Sequence, residues 1–86
     1  MGETDRLIEM MMDGDARCPY QIGTLVFKTY CEDDDAHAIG TEGIVKGNHM
    51  IDGKEDVYLV QFEDNKEGVL TFVVGQKLSN VSPILN

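Results

Sequence analysis

The sequence predicts a mainly β domain: a five-stranded, strongly bent barrel carrying a short N-terminal helix. Three observations predict it. From residue 21 onward the apolar pattern has a period of two, the mark of strands, and only residues 1–17 depart from it. Short apolar runs alternate with turns marked by Gly and Asp at even spacing, which indicates a barrel or a sandwich. The chain has 86 residues. A sandwich of the immunoglobulin type wants about seven strands and about 100 residues, so the smaller barrel is expected.

Residues 1–17 are read as a helical extension and residues 18–86 as the barrel. Thr4 suits an N-cap, Asp5 suits the positive end of a helix, and Leu7, Ile8, Met10 and Met11 supply an apolar face. Gly14 closes the helix, which is expected over residues 5–13. An isolated helix of this length is marginal in water, so it either docks on the barrel or frays. Methionine fills irregular gaps, and the run Met10, Met11, Met12 is read as contact against the barrel before it is read as an adaptable binding surface.

Residues 15–20 form a connector, in which Pro19 keeps Cys18 out of the α region. The first strand is expected from Gln21, with Ile22, Thr24, Val26 and Lys28 on one face and Leu25, Phe27 and Thr29 on the other. Apolar residues on both faces fit a barrel strand whose outer face is partly covered. A long loop follows over residues 30–40, rich in carboxylates that repel one another and want water. Gly40 and Gly43 bracket a turn into Ile44 and Val45, and a charged loop is expected over residues 48–55, with Asp52-Gly53 as a hairpin signal. Residues 56–63 make the best strand, with Tyr58, Val60 and Phe62 on one face and Val57 and Leu59 on the other. Residues 69–74 make another, Gly75-Gln76-Lys77 a tight 3₁₀ turn, and residues 78–81 a short closing strand.

Charge excludes more than it assigns. The formal net charge is −9, from 16 acidic and 7 basic residues. Nucleic-acid backbones and anionic membranes are both held by Lys and Arg, so neither partner is expected. A basic protein or peptide is the complementary partner. No apolar run reaches the roughly 18 residues of a membrane span. The opening residues are acidic and lack an apolar core of the secretory kind, so a cytoplasmic setting is expected, with Cys18 and Cys31 as free thiols.

No catalytic residue, metal or cofactor is expected. Asp33, Asp34, Asp35 and His37 gather oxygen and nitrogen donors, but not in the register of a calcium loop. Cys18, Cys31, His37 and His49 do not have the paired spacing of a zinc site. Four carboxylates beside Cys31 disfavour its thiolate and so disfavour a nucleophile there. No phosphate loop, nucleophile elbow or dinucleotide fingerprint is present.

The run Gly40-Thr41-Glu42-Gly43-Ile44-Val45, then Tyr58-Leu59-Val60-Gln61-Phe62, Gly68-Val69 and the glycine turn before Leu78 carries a resemblance. Residues 22–81 resemble the SH3-like small-barrel superfold. The Gly-x-Val strand entry is similar to that of KOW-type ribosomal and transcription-factor domains, and to small barrels that serve as accessory subunits of photosynthetic and nitrogen-fixing complexes. The resemblance implies a long loop after strand one overhanging a shallow groove. Signalling members of the superfold grip proline-rich peptides with a Trp-lined groove, and this chain has no Trp.

Put together, these observations point to a small non-catalytic module that engages a basic protein through the loop after strand one. Glu32, Asp33, Asp34, Asp35 and His37 would form its rim, with Tyr30 and Tyr58 as aromatic contacts. Phe72 is a third aromatic candidate, although core packing is the stronger expectation for it. The alternatives are a mimic of nucleic acid that inhibits a basic enzyme, and a KOW-like RNA-associated module or accessory subunit. A homodimer is open through an edge strand or the Met-rich helix.

Overall fold

The computed structural model describes residues 3–29 and 38–82. Helix α1 spans Glu3–Asp13, and the strands are β1 (Leu25–Lys28), β2 (Glu42–Ile51), β3 (Glu55–Phe62), β4 (Thr71–Val74) and β5 (Leu78–Ser79), with a 3₁₀ turn at Gly75–Lys77. All five strands lie in one antiparallel sheet of order β4-β3-β2-β1-β5. The fold is thus mainly β with one short N-terminal helix. The 3₁₀ turn carries the chain directly from one edge strand to the other, and β4 and β5 share no ladder among the described residues.

Strand alternation divides the apolar residues between two sides of this bent sheet. The inner side holds Val26, Val45, Tyr58, Val60, Phe62, Val73 and Leu78, all buried in one cluster with Cys18. The outer side holds Val57 and Leu59, buried with Met11 of α1 and flanked by Leu7, Ile51, Leu70 and Val74. The two faces expected for the best strand are the two faces found.

The helix docks. Gly47 is the seat, because a Cβ there would stand 3.1 Å from the backbone carbon and oxygen of Met11. A glycine in mid-strand marks such a close approach. Met11 is fully buried at this contact. Gly14, at φ 91°, ends α1 in the left-handed region, and its N–H donates to the Met11 carbonyl at 3.2 Å.

The connector after α1 is fixed more firmly than a linker needs to be. Asn48, fully buried on β2, accepts from the Asp15 N–H at 2.6 Å and donates to the Tyr20 carbonyl at 2.9 Å. Gln21 Nε2 donates to the carbonyls of Cys18 and Asp15. The Tyr20 ring packs on Tyr58 with centroids 5.4 Å apart. A buried amide with both ends satisfied holds its neighbours in one arrangement.

Of the boundaries that differ from the sequence expectation, three have a clear local reason. β1 begins at Leu25 because Gly23 (φ 96°) closes a turn in which the Thr24 N–H donates to the Gln21 carbonyl. Residues 48–51 belong to strand β2 rather than to a loop. Asp52 and Gly53 both take positive φ, the tight turn Asp-Gly favours, so the β2–β3 ladder runs to the pair Ile51 and Glu55. β4 begins at Thr71, since the turn around Gly68 (φ 82°) extends to Val69, whose N–H donates to the Lys66 carbonyl.

Candidate functional site

The ladder between β2 and β3 slips between Val45 and Gly47. Such a bulge sets two successive residues on one side of a strand. Here Lys46 and Gly47 both fall on the outer side, Gly47 buried under α1 and Lys46 exposed. Lys46 therefore marks the border of what α1 covers.

Below that border no element among the described residues covers the outer face. Leu25, Ile44 and Gln61 lie side by side across β1, β2 and β3, as the register pairs Leu25 with Ile44 and Ile44 with Gln61. Leu25 is 45% exposed. These residues floor an open groove of about 510 Å³. Glu42 and Glu63 close one end, joined through the Glu63 N–H and the Glu42 carbonyl at 2.9 Å, and Lys46 stands at the other. The β3–β4 turn supplies one wall, with Asn65 and Glu67. That turn is held by Gln61 Nε2 donating to the Lys66 carbonyl at 3.3 Å, and by Asn65 Nδ2 donating to Val69 O and Thr71 Oγ1. Beneath the groove, Gly43 faces inward, where Val60 Cγ1 and Phe62 occupy the space a Cβ would need. An apolar floor with a few convergent polar groups is the general form of a recognition site.

The expected partner residues Tyr30, Glu32, Asp33, Asp34, Asp35 and His37 lie outside the described residues, as does Cys31. The chain leaves β1 and enters β2 at the acidic end of the groove. There Lys28 N–H donates to Thr41 O, Gly40 N–H to Lys28 O, and Thr29 N–H to Lys77 O. Tyr58 is corrected: it is 0% exposed, inside the inner core, and offers no surface to a partner. Its hydroxyl donates to Asp56 Oδ2 at 2.5 Å and accepts from the Tyr20 N–H at 3.4 Å. Burial first, and then that bond to Asp56, push the Tyr58 phenol well above its ordinary value. Phe72 is corrected in the other direction. It pairs with Leu59 on the outer side of edge strand β4, where no element among the described residues covers it, and is 51% exposed.

A second polar cluster sits where α1 meets the barrel. The Asp15 carboxylate accepts from Arg17 Nη2 at 2.7 Å, Arg17 Nε at 3.0 Å and the N–H groups of Arg17 and Met50, with His49 Nδ1 at 3.5 Å. The Arg17 side chain first, then the two backbone donors, hold the Asp15 carboxyl well below the usual carboxylate range. A carboxylate so fully engaged acts as a clasp rather than as a base. Nearby Cys18 is a free, buried thiol, and burial, followed by the negative charges of Asp15 and Asp56, raises its pKa.

Among the described residues no group of three or more His, Cys, Asp or Glu is arranged to hold a metal ion, and no helix is long and apolar enough to cross a membrane. No protein-family model, curated protein or solved structure matches the chain.

Sequence reasoning expected a shallow groove but did not pick out the residues that line this one. The signal for it was present in the apolar residues on both faces of the first strand, Val26 inward and Leu25 outward. What it lacked was the position at which α1 stops covering the sheet.

Proposed function

We propose that this protein is a small non-catalytic module that binds a basic protein partner at the groove between β1, β2 and β3. The observation that supports this reading is the acidic end of the groove: Glu42 and Glu63, with Glu67 on the wall, border the aliphatic Leu25 and Ile44. An acidic border favours basic partners over acidic ones and speeds their encounter, and the exposed aliphatic floor supplies short-range affinity.

The test is a titration of the isotope-labelled chain with a lysine-rich peptide, followed by amide chemical shifts. The expected result is perturbation centred on residues 42–46 and 61–67, with binding several-fold weaker at 0.5 M salt, where the screening length falls to about 4 Å or less. Shifts spread evenly over the surface, or an affinity indifferent to salt, would overturn the reading.

The alternative reading as a nucleic-acid mimic rests on three acidic clusters, of which the one at residues 32–35 lies outside the described residues. Asp52, Glu55 and Asp56 lie at one end of β3 and Glu63, Asp64 and Glu67 beyond the other. The strand residues from Val57 to Phe62 lie between Asp56 and Glu63 and hold these two clusters roughly 23 Å apart along the strand.

A further inference from the structure

The groove has a direction. Along β2 the outward residues run Glu42, Ile44, Lys46: acid, aliphatic, base. Glu63 reinforces the acidic end through its pairing with Glu42, and Leu25 widens the aliphatic middle through its pairing with Ile44. Alternate residues of an extended chain repeat at roughly 6.6 Å and project from one side. The three groove positions are likewise two residues apart on an extended strand.

We propose that the groove takes an extended peptide segment presenting a basic, an aliphatic and an acidic side chain at alternate positions. This rests on the reading of the groove as a docking site for a basic partner, and it adds which segment of the partner is gripped and in which direction it runs. The basic residue lies against Glu42 and Glu63. The aliphatic residue covers Leu25 and Ile44, removing from water a leucine that the free protein leaves 45% exposed. The acidic residue lies against Lys46. The Lys46 position is what separates this from simple attraction to positive charge: a segment basic at both ends meets a like charge there, and a like charge in contact discriminates more sharply than a missing attraction. The bulge makes the arrangement geometrically consistent, because Lys46 keeps the outward side of Glu42 and Ile44 while the bulge turns the next residue, Gly47, outward as well, where α1 lies. The helix thereby ends the groove, and the segment gripped is short.

The experiment uses three end-blocked heptapeptides and the full labelled chain. The first peptide is Gly-Lys-Gly-Leu-Gly-Glu-Gly, the second has Gly for Leu, and the third has Lys for Glu. Titrations are run at 0.3 M salt, where screening over about 6 Å suppresses the general acidic field and leaves the contacts. Losing the Leu should weaken binding about tenfold, as expected for a partly buried aliphatic side chain. In the Lys46→Glu variant the preference for the first peptide over the third should reverse, each ratio being about two- to fivefold. Lys46 is exposed, so the variant keeps the fold. If all three peptides bind alike to the native chain, or if Lys46→Glu leaves their ranking unchanged, the directional groove is overturned while a basic-partner reading survives. If neither these peptides nor the lysine-rich probe perturbs the groove, both fall.

Discussion

The outer face of the sheet is built in two halves that meet at Lys46, and the two are finished differently. Toward the β2–β3 hairpin the outward residues are Gly47, Val57 and Leu59, and α1 lies on them, sealing Met11 from solvent. Toward the acidic end the outward residues are Leu25, Ile44 and Gln61, and no element lies on them among the described residues. Both halves contain aliphatic side chains that gain from leaving water. One half obtains its cover from the same chain, and the other holds its apolar surface open inside a charged border. The contrast shows that hydrophobic residues on an outer face do not by themselves say whether they serve stability or recognition. The presence of a small residue that admits a covering element decides it. Gly47 admits α1, whereas the side chains of Ile44 and Lys46 leave no comparable seat.

If that division is right, substitutions in the two halves separate stability from binding. The largest effect is expected from Met11→Ala, which empties the contact between α1 and β2. It should cost about 2–5 kcal/mol in urea unfolding, the range for truncating a buried large side chain. A cost below about 1 kcal/mol would mean that α1 contributes little to the folded state.

Asp15→Asn acts on the clasp that ends the covered half. The Asp15 carboxyl is depressed in the folded state, so its ionised form contributes stability that is present above its unfolded value of 3.8 and is lost as pH falls below it. The native chain should therefore lose thermal stability steeply on acidification below about pH 4. The variant should show a flatter acid limb and lower stability at neutral pH. Parallel acid limbs for the two proteins would place the acid sensitivity elsewhere.

The smallest effect on stability is expected from Leu25→Gln in the open half. It should change the unfolding free energy by no more than about 0.5 kcal/mol, as for an exposed site without special contacts. It should nonetheless weaken the lysine–leucine peptide several-fold. A substantial loss of stability would show that Leu25 is covered in the folded protein and would remove the distinction between the halves.

Much of this fold was legible in the chain. The period-two runs located β3 and its two faces, Asp52-Gly53 marked the central hairpin, and Gly75-Gln76-Lys77 marked the 3₁₀ turn. Each is set by local rules: alternation on a pleated strand, and positive φ where glycine or aspartate allows it. The site was far less legible. Tyr58 looked available for contact because aromatic alternation does not say which side of a sheet is the interior. Phe72 looked like core for the complementary reason: a near-continuous apolar run suggests burial on both sides, but β4 is an edge strand. The connector from Asp15 to Gln21 carried no signal of its clasp, since Asn48, its partner, lies some 30 residues away in sequence.

What the sequence determined by itself is the mainly β class, the helix with its glycine stop, the turn positions and the strong negative charge. These depend on neighbours within a few residues or on a simple sum. The tertiary structure decided which apolar face α1 covers, that Tyr58 is interior and Phe72 exterior, and that Glu42, Leu25 and Lys46 border one groove. Those outcomes depend on register between strands distant in the chain and on a single-residue bulge at Lys46. A one-residue slip in that register sends every later side chain to the opposite face, and no local pattern records where it occurs.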